Sequence, residues 1–586
     1  MLLHGLLMRV FFFRRSLITF FSFITMNKSR IVLLPLILLS VILIIYGRAT
    51  QYSFVPYDDP AYITENSIVN EGLSVRGVRW AFLYDSKVGE LKYTGVENLW
   101  HPLTWVSHMI DVEVFGAENP GGHHVTNILL FLATAILVMW SSEMILGSFW
   151  AGFLFALLWA IHPLKIESVA WISERKDILS GVFFWASLAF SIKWIKNKGR
   201  WKTLAYVLFI CGMLSKPSIL VLPALIVLVD GYLEGEKTWG IRYFLGSLRR
   251  WWLWFLSSSF FAVITIVMQS GGSHEFFAQQ SSLVSRLLPS GLSLWFYFWR
   301  ILVPINLSFE YEYPQLSLRY YYLAWLAVLT LFAFVWLKRE KMKTLFFGIA
   351  WFLVCWLPVS GLVYVGASFT TDRYMYLALA GLLFPLVSAV HRFKFGNVVI
   401  LMLCCIWAVL SWKQVPVWKD GWSLFKHATE ARPHSARAWI NLGGMHQDAK
   451  ELDEAVECYQ KAIEIDDKSY LAWYNIGNIK DRSGDLEAAE SAYQKTLEIY
   501  HSSLPAMLNL GILKKKTGQL EEAIALFEKG SSKDIRMLSL QCESELMLGN
   551  MEKGEALLRR LENTRVNHPV ILERIEKMRG FIDSRN

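Results

Sequence analysis

The fold of the C-terminal part of the chain is indicated by three similar stretches, Ala438-Trp-Ile-Asn-Leu-Gly443, Ala472-Trp-Tyr-Asn-Ile-Gly477 and Ala506-Met-Leu-Asn-Leu-Gly511. They recur every 34 residues, and each is followed at a fixed spacing by a Leu-acidic segment and then by an aromatic residue, at Tyr459, Tyr493 and Phe527. A period of this length predicts pairs of antiparallel helices that stack into a solenoid. Small residues let the helices approach, and the aromatic rings fill the space between units.

The pattern resembles the tetratricopeptide repeat, and the resemblance holds in three independent registers. A half-unit precedes it at Phe425, Ala428 and Pro433, and a degenerate unit that begins near Leu540 is expected to cap the array. The sequence therefore predicts an α-solenoid over 436–569. A linker with a half repeat would precede it over 413–435, and a tail would follow over 570–586.

Polar residues of the concave face are the expected functional part of such an array, because the aromatic residues are needed for packing. Asparagine recurs at one register, at Asn441, Asn475 and Asn509. Grooves of this kind bind extended peptides or protein partners. We expect these three residues to contact an acceptor protein, a peptide or a partner.

The rest of the chain has a different composition. Of 586 residues 54% are hydrophobic and 18% charged, and the mean hydropathy is +0.35. The chain has 58 Lys and Arg residues, of which 22 lie in 431–586, and 49 Asp and Glu residues, of which 25 lie there. The first 430 residues therefore carry far fewer charges per residue. This excludes a disordered chain and an ordinary soluble enzyme. The basic excess lies beside apolar runs and does not suggest a nucleic-acid partner.

Eleven apolar runs meet or approach the roughly 20 residues that a spanning helix needs. They are Ile31–Tyr46, Val125–Ile145, Trp150–Ile161, Ile178–Ile195, Leu204–Leu214, Ile219–Val229, Trp251–Met268, Tyr320–Leu337, Leu345–Leu357, Tyr376–Val390 and Val398–Trp412. The sequence therefore predicts an all-α protein, with a polytopic helical membrane domain over 31–412 that contacts the lipid bilayer.

Basic clusters flank these runs, and the positive-inside rule places them in the cytoplasm. The alternation is consistent if a twelfth run, Leu287–Val303, is re-entrant or interfacial. We then expect a cytoplasmic segment 1–30, a first extracytoplasmic loop over 47–124, and extracytoplasmic repeats.

The first outside loop begins with Tyr57-Asp58-Asp59-Pro60. Two adjacent carboxylates near a bilayer could abstract a proton from an acceptor hydroxyl or bind a divalent cation. The alternative is a turn, because Asp and Pro favour turns. The metal question stays open at this point, with Asp58 and Asp59 as the candidate ligands.

Other polar residues gather in the predicted outside loops and at their ends: His101, His124, Glu167, Arg175, Lys176, Asp177, Lys216, Asp372 and Arg373. Basic residues on the side that the positive-inside rule disfavours indicate an anionic partner, such as a lipid phosphate. The alternative is a loop whose charges neutralise one another. The histidines could bind phosphate or sugar, or order the loop by hydrogen bonds.

The order of these motifs is specific. Tyr-Asp-Asp-Pro, Trp-His-Pro-Leu-Thr-Trp, Gly-Gly-His-His, His-Pro-Leu-x-x-Glu-Ser-Val-Ala-Trp, Ser-Glu-Arg-Lys-Asp, Lys-Pro and Thr-Asp-Arg-Tyr precede the repeats. From about Ile31 to Arg565 the chain resembles the transmembrane and tetratricopeptide-repeat O-mannosyltransferases and their bacterial relatives, which are membrane glycosyltransferases of the C-type fold.

The resemblance implies transfer of a mannose-like sugar from a polyprenyl phosphate to a protein Ser or Thr hydroxyl. It also implies a catalytic acid at Asp58 or Asp59, and donor or metal handling by Glu167, Arg175 and Asp177. Two alternatives are a non-catalytic membrane scaffold with repeats and a transporter of lipid-linked sugars. The resemblance implies a multi-pass protein of the bacterial inner membrane, or of the endoplasmic reticulum if the chain is eukaryotic.

Overall fold

A computed structural model describes residues 29–83, 100–235, 241–269, 283–314, 316–362, 369–564 and 569–584. The chain divides into two compact units, Met1–His427 and Ala428–Asn586. Within the described residues all regular structure is helical, and the extended backbone is limited to one isolated bridge between Tyr311 and Thr370. The prediction of an all-α fold is confirmed.

The first unit is built from helices that we number in chain order. They are α1 (Ser29–Tyr46), α2 (Ser67–Asn70), α3 (Val75–Leu83), α4 (Pro102–Phe115), α5 (Pro120–Leu146), α6 (Phe149–Ile161), α7 (Ile166–Ala170), α8 (Arg175–Asn197), α9 (Trp201–Ser215), α10 (Leu222–Glu234), α11 (Ile241–Gln269), α12 (Leu283–Leu302), α13 (Leu318–Leu337), α14 (Lys343–Trp356), α15 (Met375–Val390), α16 (Gly396–Gln414) and α17 (Gly421–Ala431).

Several of these helices are long and apolar enough to cross a membrane. Eight described helices satisfy this by length and composition, and a ninth arises if the bent pair Phe149–Ile161 and Pro163–Ala170 counts as one span. Two further apolar helices, Trp201–Ser215 and Lys343–Val359, are shorter. Each of the eleven predicted runs lies within one of these helices. The number of crossings and the side on which each loop lies stay predictions.

The twelfth run forms a continuous helix, α12, with Pro289 inside it. It is not among the described helices that are apolar enough to span. The indole N–H of Trp295 donates to the carbonyl of Ala324 (3.0 Å), and that of Trp325 donates to the carbonyl of Leu287 (2.8 Å). These bonds attach α12 to α13, and the expectation that α12 does not cross the membrane stays a prediction.

The candidate site lies where several helices begin or end. Helices α8 and α9 are connected by the turn at Lys198–Arg200, so the start of α8 and the end of α9 lie at the same end of the unit. The short 3-10 helix Asp372–Tyr374, which leads into α15, reaches the same place. Three chain segments far apart in sequence therefore bring their polar residues together.

The second unit contains the predicted helix pairs. They are α18 (Ala436–Asp448) with α19 (Leu452–Ile465), α20 (Tyr470–Ser483) with α21 (Leu486–Ile499), α22 (Leu504–Lys516) with α23 (Leu520–Gly530), α24 (Ile535–Met547) with α25 (Met551–Glu562), and a final α26 (Pro569–Asp583).

Glycine is required where the two helices of each regular pair cross. A Cβ atom at Gly443 would lie 2.7 Å from the ring of Tyr459, and one at Gly477 would lie 2.7 Å from the ring of Tyr493. At Gly511 it would lie 2.5 Å from the ring of Phe527. The repeated glycine and aromatic residues are thus direct packing partners, as the 34-residue register predicts.

Candidate active site

A buried carboxylate, Glu174, is the centre of the polar site. Its side chain forms ion pairs with the Nζ of Lys176 (3.0 Å), the Nζ of Lys216 (3.4 Å) and the Nε of Arg373 (3.2 Å). We call these four residues the Glu174 cluster. The carboxylate is 1% exposed, whereas the three cationic side chains are 11–20% exposed. The anion is therefore enclosed, and the cations form the accessible side of the cluster.

Two further acids hold the outer cations. The carboxylate of Asp177 accepts from Lys216 at 2.6 Å and from the Ser168 hydroxyl at 3.1 Å. The carboxylate of Glu167 pairs with the guanidinium of Arg373 and accepts from its backbone N–H at 2.8 Å. Arg373 therefore bridges Glu167 and Glu174, which fixes the plane of its guanidinium.

Aromatic rings complete the surroundings of the cations. The ammonium of Lys176 lies 4.6 Å from the ring centre of Tyr62 and 5.7 Å from that of Trp171, and Arg373 lies 5.4 Å from Trp171. Trp171 is stacked on Trp418 at 5.3 Å. Ring faces attract cations and restrict their movement, so both cations are positioned before any ligand binds.

Asp58 borders this cluster. Its Oδ2 lies 3.9 Å from the Nζ of Lys176, and its side chain is 36% exposed. Burial raises the pKa of the Asp58 carboxyl, and the nearby charges of Lys176 and Arg373 partly offset that effect. A partly exposed carboxylate with a raised pKa beside a group of cations has the properties of a general base.

Asp59 occupies a different environment although it is the next residue. Its carboxylate is fully buried and accepts from the backbone N–H of Val55 (2.8 Å) and of Ser173 (2.9 Å). Burial raises its pKa to about 6, against the effect of these two hydrogen bonds. Asp59 therefore joins the segment between α1 and α2 to the segment that carries Glu174, and its oxygens already have protein donors.

Arg175 is also enclosed by protein. Its guanidinium pairs with Asp111 at 2.5 Å and donates to the side chain of Asn127 at 2.7 Å. It also donates to the backbone carbonyls of Ser107 (3.1 Å) and His123 (2.9 Å). The contacts of Arg175 indicate a positioning role beneath the Glu174 cluster. Its predicted contact with donor phosphate stays untested.

His101 and His124 are buried as well. The Nε2 of His101 is 3.0 Å from the hydroxyl of Tyr62, and the two rings are stacked. Burial lowers the pKa of His101 well below its usual value, so it is neutral in the folded protein. Tyr62 connects His101 with Lys176. His124 packs edge-on against Tyr52. A direct contact of either histidine with a donor stays a prediction.

Asp372 supports the segment that carries Arg373. Its carboxylate accepts from the hydroxyl of Tyr311 at 2.9 Å, and the same tyrosine forms the backbone bridge to Thr370. Lys165, which the sequence interpretation did not include, donates to the carbonyls of Met375 (3.1 Å) and Tyr376 (2.6 Å). These contacts fix the backbone on both sides of Arg373.

The described residues contain no group of three or more His, Cys, Asp or Glu that could hold a metal ion. Each oxygen of Asp59 accepts from one backbone N–H, and metal binding by Asp58 and Asp59 stays a prediction.

The sequence interpretation omitted Glu174. The signal was present, because Ser173-Glu174-Arg175-Lys176-Asp177 places four consecutive charged residues at the start of an apolar helix. Which of these charges faces inward depends on contacts with Lys216 and Arg373, and those residues are distant in sequence.

In the second unit the recurring asparagines differ in their contacts. The Nδ2 of Asn509 donates to the Tyr474 hydroxyl (3.2 Å) and to the Oδ1 of Asn478 (2.8 Å), both in the preceding repeat. Asn475 interacts with the hydroxyl of Tyr459, again in the preceding repeat. The Nδ2 of Asn441 is buried and has no hydrogen-bond partner among the described residues. Partner binding by the three asparagines stays a prediction, and two of them also connect repeats.

Comparison with known proteins finds similarities to two kinds of sequence. Sequence models of the tetratricopeptide repeat match residues 434–502 and 504–532. Protein O-mannosyl-transferase TMTC1 of Homo sapiens is 22% identical over 486 residues, which cover 72% of this chain and 54% of the human protein. Protein O-mannosyl-transferase F38B6.6 of Caenorhabditis elegans is 23% identical over 443 residues, covering 74% of this chain and 62% of the relative.

A shorter match has higher identity. Protein O-mannosyl-transferase TMTC2 of Homo sapiens is 32% identical over 109 residues, which are 19% of this chain and 13% of the human protein. In its longer matches the chain spans between about half and two thirds of the curated relatives. The long matches are much longer than the second unit, so they include part of the apolar helical unit, and the sequence models match the repeats. The chain is therefore similar to the protein O-mannosyl-transferases over most of its length, and it carries tetratricopeptide repeats.

Proposed function

We propose that the chain is a membrane glycosyltransferase that transfers a mannose-like sugar from a polyprenyl phosphate to a Ser or Thr hydroxyl of a protein. One observation carries the proposal: a partly exposed carboxylate, Asp58, lies beside three positioned cations at one end of a bundle of apolar helices. A polyprenyl phosphate keeps its chain in the bilayer, so its phosphate and sugar would be met where apolar helices end.

The cations of the Glu174 cluster would bind the donor phosphate. Lys176, Lys216 and Arg373 are each partly exposed, and Glu174 holds them within one small volume. Negative charge grows on the phosphate oxygen as the sugar leaves, and preorganised cations stabilise such a charge more in the transition state than in the ground state.

Asp58 would act as the base. The acceptor hydroxyl gives its proton to the Asp58 carboxylate, and its oxygen forms the new bond to the anomeric carbon. The bond between that carbon and the phosphate oxygen breaks, and the electron pair leaves with the polyprenyl phosphate. A positioned base contributes roughly 10²–10⁴-fold to such a step.

Asp59, Arg175, Asp372 and Lys165 would keep this arrangement in place. The Asp59 carboxylate accepts a hydrogen bond from the backbone N–H of Ser173, which precedes Glu174, and Arg175 follows Glu174 in the chain. Lys165 and Asp372 hold the segment around Arg373. The repeats would hold the acceptor protein or a partner, with Asn441, Asn475 and Asn509 as the candidate contacts.

The direct test is transfer by purified full-length protein. Polyprenyl phosphates that carry a radiolabelled hexose are incubated with Ser- and Thr-containing peptides, and label on the peptide is separated from free sugar. The proposal expects label on the peptide. Glu71→Gln is a matched control for Asp58→Asn, because Glu71 is an acid of the same loop that pairs with Arg76 outside the cluster. Release of free sugar without peptide labelling would contradict the proposed acceptor. Absence of turnover with every donor would contradict the proposed transferase activity.

A further inference from the structure

The end of α8 opposite to the candidate active site carries a dense group of cations. Five basic residues lie within ten positions: Lys193, Lys196, Lys198, Arg200 and Lys202. Among the residues that the structure describes, none of the five forms an ion pair with a carboxylate. Of the acids at this end, Asp230 and Glu234 both pair with Arg250, at 2.7 and 3.6 Å. Glu143 and Asp230 are close enough to interact electrostatically with Lys196 and Lys198, but five cations without an ion pair among the described residues leave the group an excess of positive charge.

Tryptophan rings from four helices support three of these lysines. The distances from ammonium to ring centre are 4.7 Å for Lys193 with Trp140, 4.6 Å for Lys193 with Trp201, 4.4 Å for Lys198 with Trp194, 4.8 Å for Lys202 with Trp194 and 5.4 Å for Lys202 with Trp251. Ring faces attract a cation without neutralising its charge. The lysines are thus held in place while their N–H donors remain able to meet an anion.

The backbone at Lys198 supports a binding role. Its φ is +58° and that of the following Gly199 is +81°. Glycine adopts the left-handed region readily, whereas a lysine there is strained. Strained residues of this kind occur at ligand sites, where the side chain is needed at that position.

The surface next to these lysines is apolar. Val207 of α9 and Trp252 and Leu256 of α11 are exposed, and the backbone carbonyl of Arg250 accepts from the Nζ of Lys202 at 2.9 Å, which joins the two helices. A headgroup bound at the lysines would therefore have its acyl chains beside exposed apolar side chains of the same two helices. A soluble anion would gain nothing from that surface.

We propose that Lys193, Lys198 and Lys202, with their tryptophan rings, bind the phosphate group of an anionic phospholipid. The charge complementarity comes from the unpaired lysines, and the tryptophans are the residues that favour the membrane–water interface. Basic groups between membrane helices bind acidic lipid headgroups in this way. The site is separate from the candidate active site, because it lies at the other end of α8.

The experiment measures lipid binding to the purified full-length protein in detergent. Phosphatidylglycerol, phosphatidylcholine or inorganic phosphate is added, and the bound lipid is counted by native mass spectrometry while the melting temperature is recorded. The wild type should retain phosphatidylglycerol and melt at a higher temperature with it than with phosphatidylcholine, and phosphate alone should not reproduce the effect. The triple variant Lys193→Gln, Lys198→Gln, Lys202→Gln should bind phosphatidylglycerol at least about tenfold more weakly.

The matched control is Lys338→Gln with Lys341→Gln, which removes two exposed lysines from another basic turn. It should bind phosphatidylglycerol like the wild type. Equal retention of both lipids by the wild type, or an equal loss in the control, would overturn the proposal. Reproduction of the stabilisation by free phosphate would also overturn it, by identifying an inorganic anion site. If the triple variant does not fold, the single variant Lys198→Gln replaces it in the lipid-binding measurement. The Lys198 side chain is exposed and contacts only one of the tryptophan rings named above, Trp194, so its loss should not prevent folding.

Discussion

Helix α8 carries charged residues at both ends, and the two ends arrange them in opposite ways. At the start, Lys176, Lys216 and Arg373 surround the buried Glu174, and other acids hold two of the cations from outside. At the end, Lys193 and Lys202 lie over tryptophan rings without an ion pair among the described residues. Acids fix the first set in one geometry, whereas rings support the second set and leave its charge free.

The difference teaches what each end is suited to do. Catalysis needs charges at defined positions, and a buried carboxylate with several donors gives such positions at the expense of net charge. Binding to a charged headgroup needs net charge and tolerates looser geometry. Substitutions at the paired end should therefore change turnover and stability, and substitutions at the other end should change lipid binding.

The largest effect is expected from Asp58→Asn. This change keeps the size of the side chain and removes its basicity, so transfer should fall by ~10²-fold or more, with folding unchanged. Steady-state transfer to peptide measures the loss of activity, and the melting temperature tests whether folding is unchanged. Activity near that of Glu71→Gln would show that Asp58 only forms a turn.

The neighbouring Asp59→Asn should behave differently. An amide can accept from only one of the two backbone donors, Val55 or Ser173, so a buried N–H loses its partner. We expect a loss of stability of about 1–3 kcal/mol. A variant as stable as the wild type would contradict the role of Asp59 as the connection between the two loops.

The largest effect on stability, as distinct from activity, is expected from Arg175→Met. The change leaves the buried carboxylate of Asp111 without its cation, and breaking a buried pair on one side costs roughly 3–5 kcal/mol. Lys193→Met, at the unpaired end, should change stability by less than about 0.5 kcal/mol in detergent without added anionic lipid. Thermal unfolding of both variants tests the comparison directly, and equal losses would refute it.

A smaller effect is expected from Arg373→Lys. Lysine keeps the charge but cannot bridge Glu167 and Glu174 with a planar fork, so the donor phosphate would meet a less fixed cation. We expect the KM for the donor to rise about tenfold, while the protein stays folded with some loss of stability. The KM for the peptide acceptor is the internal control, and a change confined to the acceptor would contradict a donor role.

The sequence alone was sufficient for those features that depend on local pattern. The apolar runs lie in helices, and Gly443, Gly477 and Gly511 face the aromatic residues of their own repeats. These features follow from periodicity, because the residues that must pack together recur at fixed spacing.

The roles within the site could not be predicted in the same way. Asp58 and Asp59 are identical residues at adjacent positions, and only the backbone donors of Val55 and Ser173 distinguish them. Arg175 and Lys176 are adjacent too, yet one pairs with Asp111 and the other with Glu174. Arg175 and Lys176 differ because successive residues of a helix point in different directions, whereas Asp58 and Asp59 lie in the turn before the short helix Pro60–Thr64.

The smallest expected effect concerns pH. A base acts only when it is ionised, so transfer should fall as the pH falls through the pKa of Asp58. Burial raises that pKa, and the charges of Lys176 and Arg373 reduce the shift. The acidic limb of kcat/KM should therefore lie above the ordinary range of Asp, about 4, and below it the rate should fall about tenfold per pH unit. Arg373→Lys keeps the charge and should leave the limb in place. Lys176→Gln removes a charge that favours ionisation, so the limb should move to higher pH. In Asp58→Asn the limb should disappear, and a limb that persists in that variant would assign the base to another residue.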